Sequence, residues 1–190
     1  NNETRFKGKW IVKIYTVRHG QTEWNKKGLY QGKTDVPLNE EGKKQAMIVK
    51  EKLKDKKIDL IISSPLKRAK ETAEIISDGK IKIITDSLIV ERGLGEYEGS
   101  PVNDNGYNAN FYWNYKLNSD EKGVESVRDL LDRAQLFLDK IKQEYDNKNI
   151  LIVSHGATIR AINYVIVGYC EDEKFLDFDV RNCSLFEYDI

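Results

Sequence analysis

The chain has 190 residues, of which 39% are hydrophobic and 33% charged. That is enough for one compact domain with a real core, and it argues against a disordered chain. Its 31 Lys and Arg balance 31 Asp and Glu, so a basic field for nucleic acid or an acidic membrane is excluded as the main idea, and any anion site must be a local cluster.

Residues 1–9 are polar and read as a flexible N-terminal end, followed by a single domain over 10–190. The chain starts at Asn1 and its one methionine is Met47, so a removed leader stays open. Ile11 to Val17 is rich in β-branched and aromatic residues and predicts a strand. It runs into Arg18-His19-Gly20. The polar stretch Gln21 to Asn39, broken by Gly28, Gly32 and Pro37, predicts a long loop. Asn39 is placed to cap a helix whose apolar face carries Ala46, Val49 and Leu53. A short strand over Ile58 to Ile62 leads to Ser64-Pro65, which predicts a helix to about Ser77 with Pro at its first position. Ile81 to Ile84 reads as a strand, Glu91 to Gly99 as a glycine-rich loop, and Ser100 to Lys122 as irregular. The stripe Val127, Leu131, Ala134, Leu138, Ile141, Tyr145 predicts a long helix over Val124 to Tyr145. Then come a buried-type strand, Ile150 to Val153, a helix, Gly156 to Val167, and an alternating edge strand, Ser184 to Tyr188.

Alternating strands and helices place the chain in the α/β class with a mostly parallel sheet, and the short continuous apolar strands call for helices on both faces. No apolar stretch approaches the ~20 residues needed to cross a bilayer. Cys170 and Cys183 are too few for a disulfide scaffold or a four-thiolate zinc site, and they read as reduced thiols of a cytoplasmic protein.

Both histidines of the chain sit in matched contexts. Ile14 to Val17 ends in Arg18-His19-Gly20, and Ile150 to Val153 ends in Ser154-His155-Gly156. If the two strands are parallel neighbours, both imidazoles emerge at the carboxyl ends of the strands, where such sheets bind ligands. Arg68 and Glu91 each follow a strand and reach the same end. The bland alternatives are a capped surface histidine and solvated charges beside Lys67, Lys70, Glu96 and Glu98.

Arg18-His19-Gly20-Gln21-Thr22-Glu23-Trp24-Asn25 resembles the signature of the histidine phosphatase (phosphoglycerate-mutase-like) superfamily. Further segments agree in order and spacing: Tyr30-Gln31-Gly32 with Asp35 to Gly42, Ser63 to Ala69 with Thr72-Ala73, Glu91 to Gly99, and Ser154-His155-Gly156. The resemblance spans Lys13 to Tyr188. It implies a three-layer α/β/α sandwich with an antiparallel edge strand, and a phosphatase that works through a phosphohistidine on His19, with Glu91 as proton donor. A phosphoryl group in transfer carries charge on its equatorial oxygens. Arg18 and Arg68 can fork onto those oxygens, His155 can add a donor, and Asn25 can complete the cradle. The arginines beside His19 keep it neutral and nucleophilic. To give up a proton at neutral pH, Glu91 needs a site that favours its protonated form. Thr22, Gln31, Gly32, Gly156 and Ala157 are the further expected binding positions. No metal or cofactor is needed in this scheme, because the arginines supply the positive charge.

Other motifs fail. Gly32-Lys33-Thr34 lacks the earlier glycine and the strand of a phosphate-binding P-loop, and Gly93, Gly95 and Gly99 have the wrong last spacing for a dinucleotide fingerprint. Asp177-Phe178-Asp179 has no strand before it, and neither cysteine is followed six residues later by Arg.

The segment 100–122 is expected to cover the site. It carries Tyr107, Phe111, Tyr112, Trp113 and Tyr115, no Arg, and only Lys116 and Lys122 as cations. Tyr112 and Trp113 are the expected contacts to an organic moiety, with core packing as the alternative. Mutases of the resembled family carry a longer, more cationic insert here, so the resemblance implies a hydrolase of small phosphorylated metabolites over a cofactor-dependent phosphoglycerate mutase. A non-catalytic phospho-ligand binder is disfavoured because every chemical residue is present. The expected partner is a small-molecule phosphomonoester, with no nucleic acid and no membrane; a homodimer stays open.

Overall fold

The computed structural model describes residues 12–102, 121–170 and 175–190. The expected flexible end at 1–9 and the aromatic pair Tyr112 and Trp113 lie outside the described residues, as does most of the covering segment. In chain order the elements are β1 (Lys13–Arg18), α1 (Glu23–Lys26), α2 (Glu40–Leu53), β2 (Leu60–Ser63), α3 (Lys67–Ser77) and β3 (Ile83–Thr85), followed by α4 (Val127–Glu144), β4 (Asn149–Ser154), α5 (Gly156–Val167) and β5 (Leu185–Asp189).

The sheet runs β3-β2-β4-β1-β5. The first four strands in that order are parallel, and β5 closes the edge antiparallel to β1. Successive side chains of a strand point to opposite faces. Ile14, Ile62, Ile150 and Ile152 therefore meet the face covered by α4 and α5, in one core with Leu130, Phe137 and Ile162. Their neighbours Tyr15, Val17, Ile61, Leu151 and Val153 meet the other face, with Val49, Ala69 and Ala73 from α2 and α3. Two buried faces are why the strands read as unbroken apolar runs rather than alternating ones. The result is the three-layer α/β/α sandwich. Among the described residues no helix is long and apolar enough to cross a membrane.

The strands β2 and β3 each begin two residues later than the sequence reading, and three differences concern helices. The expected long loop contains α1, a single turn capped reciprocally by Thr22 and Asn25. Pro65 is not the first helical residue. Helix α3 starts at Lys67, after Leu66 in extended backbone, and the donor at its start is met by a remote residue, Lys67 N–H giving to Asp35 Oδ1 at 2.7 Å. Helix α4 starts three residues later than expected, because Val124 forms a bridge with Leu94 and Ser126 accepts from Asp129 N–H as the cap.

Candidate active site

The register of β1 on β4 brings the two histidines together. Arg18 lies opposite Ser154, and His19 N–H donates to the Ser154 carbonyl at 2.9 Å. Both imidazoles follow at the carboxyl edge, their ring centroids 5.2 Å apart. The chain turns into α1 after His19, and Gly20 N–H is held by the Thr72 hydroxyl of α3 at 3.1 Å. His19 is buried, and its Nδ1 lies 2.7 Å from the Gly20 carbonyl. A carbonyl only accepts, so Nδ1 carries the proton and Nε2 keeps an open lone pair. Burial first, then Arg68 and Arg18, hold the His19 imidazole well below its usual 6.5. It is therefore neutral at physiological pH.

Arg68, at the first turn of α3, is 1% exposed, which overturns the reading of a solvated face. Its Nη1 donates to Thr34 O and its Nη2 to Gly32 O, both at 2.7 Å, and its Nε donates to His155 Nδ1 at 3.2 Å. Burial is the main cause that lowers its guanidinium to about 10, so it stays charged at neutral pH. On the other flank of His19, Arg18 Nη1 donates to Val180 O at 2.8 Å, while its Nε is buried with no partner among the described residues. An orphaned buried donor costs about 1–3 kcal/mol, and an oxyanion in the adjoining space would relieve it.

These groups line a cavity of about 660 Å³. Arg18, His19, Asn25, Gln31, Gly32, Arg68, Glu91, Gly156 and Ala157 all belong to its wall. Glu91 sits at the start of α5. Its Oε1 accepts from Arg92 N–H at 2.8 Å and from Thr158 N–H at 3.3 Å, and its Oε2 accepts from Ala157 N–H at 3.4 Å. Gly156 allows a close approach: a Cβ there would lie 3.3 Å from Arg160 Nη1 and 3.6 Å from Arg18 Nε.

Two expected site residues have their polar atoms engaged within the protein, the first of them His155. The Arg68 Nε–H can only donate, so His155 Nδ1 accepts, and its Nε2–H gives to the Ser64 hydroxyl at 2.7 Å. Both ring nitrogens are thus engaged, and His155 braces Arg68. Thr22 is the second: it is buried and caps α1, with its hydroxyl 2.8 Å from Gln31 Oε1.

The sequence reading also missed residues. Arg160, four places after Gly156, lines the cavity with its Nε bound to Phe178 O at 2.9 Å. The i, i+4 spacing on a helix that starts at Gly156 was the available signal. Asn182 carries no such signal; its Nδ2 donates to His19 O at 3.0 Å and lies 3.3 Å from Asn25 Oδ1. The apolar part of the lining is Leu29, Tyr30, Leu94, Val102 and Leu176.

Comparison with known proteins shows the family of the chain. The model of the histidine phosphatase superfamily (branch 1) matches residues 14–190. "Uncharacterized phosphatase PhoE" of Bacillus subtilis is 43% identical over 161 residues, covering 83% of this chain and 79% of that protein. "Phosphoglycerate mutase-like protein 4" of Arabidopsis thaliana is 38% identical, covering 98% of this chain and 86% of that protein. Among solved structures, a mutant phosphoserine phosphatase from Entamoeba histolytica in complex with phosphoserine is similar at a TM-score of 0.81 and 31% identity, covering 93% of this chain and 89% of that one.

Proposed function

This chain belongs to the histidine phosphatase superfamily and is an enzyme of that phosphatase type, and from that premise we propose that it hydrolyses small phosphorylated metabolites through a phosphohistidine on His19. One observation carries the reading: an imidazole whose Nδ1 lies 2.7 Å from the Gly20 carbonyl, which leaves Nε2 for the cavity that Arg18 and Arg68 also line. In the first step Nε2 attacks phosphorus and the ester P–O bond breaks. The leaving oxygen takes a proton from the Glu91 carboxyl. In the second step water attacks the phosphohistidine and gives its proton to the Glu91 carboxylate. The P–N bond breaks, its electron pair returns to Nε2, and inorganic phosphate leaves. Arg18 and Arg68 stay in place throughout and offset the charge on the equatorial oxygens.

The size of the cavity, about 660 Å³, and the apolar part of its lining support a leaving group with an organic body. The relatives named as phosphatases support hydrolysis; the relative named as phosphoglycerate mutase-like keeps transfer between hydroxyls as the second reading. The test is a panel of phosphomonoesters assayed without added metal, beside a mutase assay with 3-phosphoglycerate. Release of inorganic phosphate with an acid-labile label on His19 supports the proposal. Mutase turnover above hydrolysis refutes it, and so does a His19→Ala variant with full activity.

A further inference from the structure

Glu98 has no part in the steps above and does not line the cavity, yet four donors converge on its carboxylate. Oε1 accepts from the backbone N–H groups of Lys33 and Leu94, each at 3.0 Å. Oε2 accepts from Thr34 N–H at 3.0 Å and from the Thr34 hydroxyl at 2.5 Å. Three of these donors belong to Lys33 and Thr34. The carbonyls of the same turn, Gly32 O and Thr34 O, take the two terminal nitrogens of Arg68 at 2.7 Å.

The link between the two sets is covalent. Gly32 C=O and Lys33 N–H are two ends of one planar peptide group, so fixing one fixes the other. The N–H end of that dipole meets the Glu98 carboxylate and the C=O end meets the Arg68 guanidinium. An anion and a cation thus hold one peptide from opposite sides, and each strengthens the other's hydrogen bond. The turn is pressed against the acid: Gly32 has φ +50°, and a Cβ there would sit 2.1 Å from Glu98 Oε1. Burial pushes the Glu98 carboxyl up, but the bonds from Thr34, Leu94 and Lys33 outweigh it and hold the group below its ordinary value. It is therefore charged when the enzyme works.

We propose that Glu98 is a positioning residue for the phosphoryl clamp, aiming the Arg68 guanidinium at the phosphoryl group through the peptide that joins Gly32 to Lys33. This rests on the reading of Arg68 as part of that clamp. A Gln at 98 keeps the size but brings an NH₂ against N–H donors and removes the charge. The turn and the guanidinium then lose their alignment, while His19, Arg18 and Glu91 keep theirs.

The experiment is a double-mutant cycle. Glu98→Gln is measured in the wild-type and in the Arg68→Ala background, by kcat and KM with p-nitrophenyl phosphate and by the affinity for inorganic phosphate. In the wild-type background kcat/KM is expected to fall by about 10- to 100-fold, the range for losing a group that orients a reacting one. In the Arg68→Ala background the same change is expected to cost less than about twofold, because no guanidinium is left to aim. An equal loss in both backgrounds overturns the proposal, as does no loss in either. Thr34→Val, which removes one donor to Glu98, is run through the same cycle with a smaller loss expected. It carries the comparison if Glu98→Gln does not fold. If the wild-type protein binds phosphate but hydrolyses no monoester, the hydrolase reading fails by itself, and phosphate affinity in the two backgrounds decides this proposal by the same criteria.

Discussion

Two buried neutral imidazoles make stability acid-sensitive, and the size of the effect follows from linkage. His19 and His155 are 1% and 0% exposed. Burial first, then Arg68, holds each well below 6.5, with Arg18 adding to both and His19 adding at His155. In the unfolded chain both return to about 6.5. Because the folded value is depressed, the unfolded state takes up protons first. Stability is therefore full above about pH 7 and falls as the pH drops through 6.5. While the folded rings stay neutral, each contributes a slope of about 1 kcal/mol per pH unit near pH 5.5. From pH 7 to pH 5 this sums to about 2 kcal/mol per histidine and about 4 kcal/mol for the pair. Ordinary carboxylates titrate lower and add little in that window. The assay is urea unfolding of wild type and His155→Gln at pH 7 and pH 5. The variant is expected to be less stable at both values, from lost packing, but its loss between them should be about half that of wild type. His19→Gln should halve it in the same way. A His155→Gln protein that loses as much between pH 7 and pH 5 as wild type would refute the reasoning.

Inorganic phosphate or vanadate at 100 times its dissociation constant should stabilise the folded protein by about 2.7 kcal/mol. A thermal melt reads this as a rise in Tm, and the rise should vanish in Arg18→Ala; an unchanged rise there removes Arg18 from the anion site. Asn39 accepts from Gly42 N–H at 2.8 Å to cap α2, and its amide reaches Gln21 Oε1 at 3.0 Å. Asn39→Ala should cost about 1 kcal/mol in urea unfolding. A loss below a few tenths would show that the cap is replaced by water. Phe137, fully buried against the sheet, should cost about 3–5 kcal/mol when cut to Ala; a cost under 1 kcal/mol would mean that the core collapses around the gap.

Local chemistry accounts for what could be read before the structure. The heptad-like stripe of α4, the Asn39 cap and the apolar runs of β1 and β4 are each set by residues within a few places of one another. Helix α3 shows the limit. Its start is met by Asp35, 32 residues earlier, and no local rule could move the boundary from Pro65 to Lys67. The site divides in the same way. His19 stood out by its matched strand-end context with His155, whereas Arg68 and Glu91 stood out only through the resemblance of the segments around them. Arg160 stood one helical turn beyond a recognised glycine. Asn182 and Glu98 act through backbone groups of distant loops, and only packing reveals such partners.

The order of strands and helices was determined by sequence alone, because side-chain period is a property of short stretches, and the resemblance drew attention to the candidate site residues. Which nitrogen of His19 is open and that His155 braces Arg68 were decided only by the tertiary structure. So was the peptide through which Glu98 reaches that arginine. Hydrogen-bond direction depends on what folding brings within 3 Å, and that neighbour is far away along the chain.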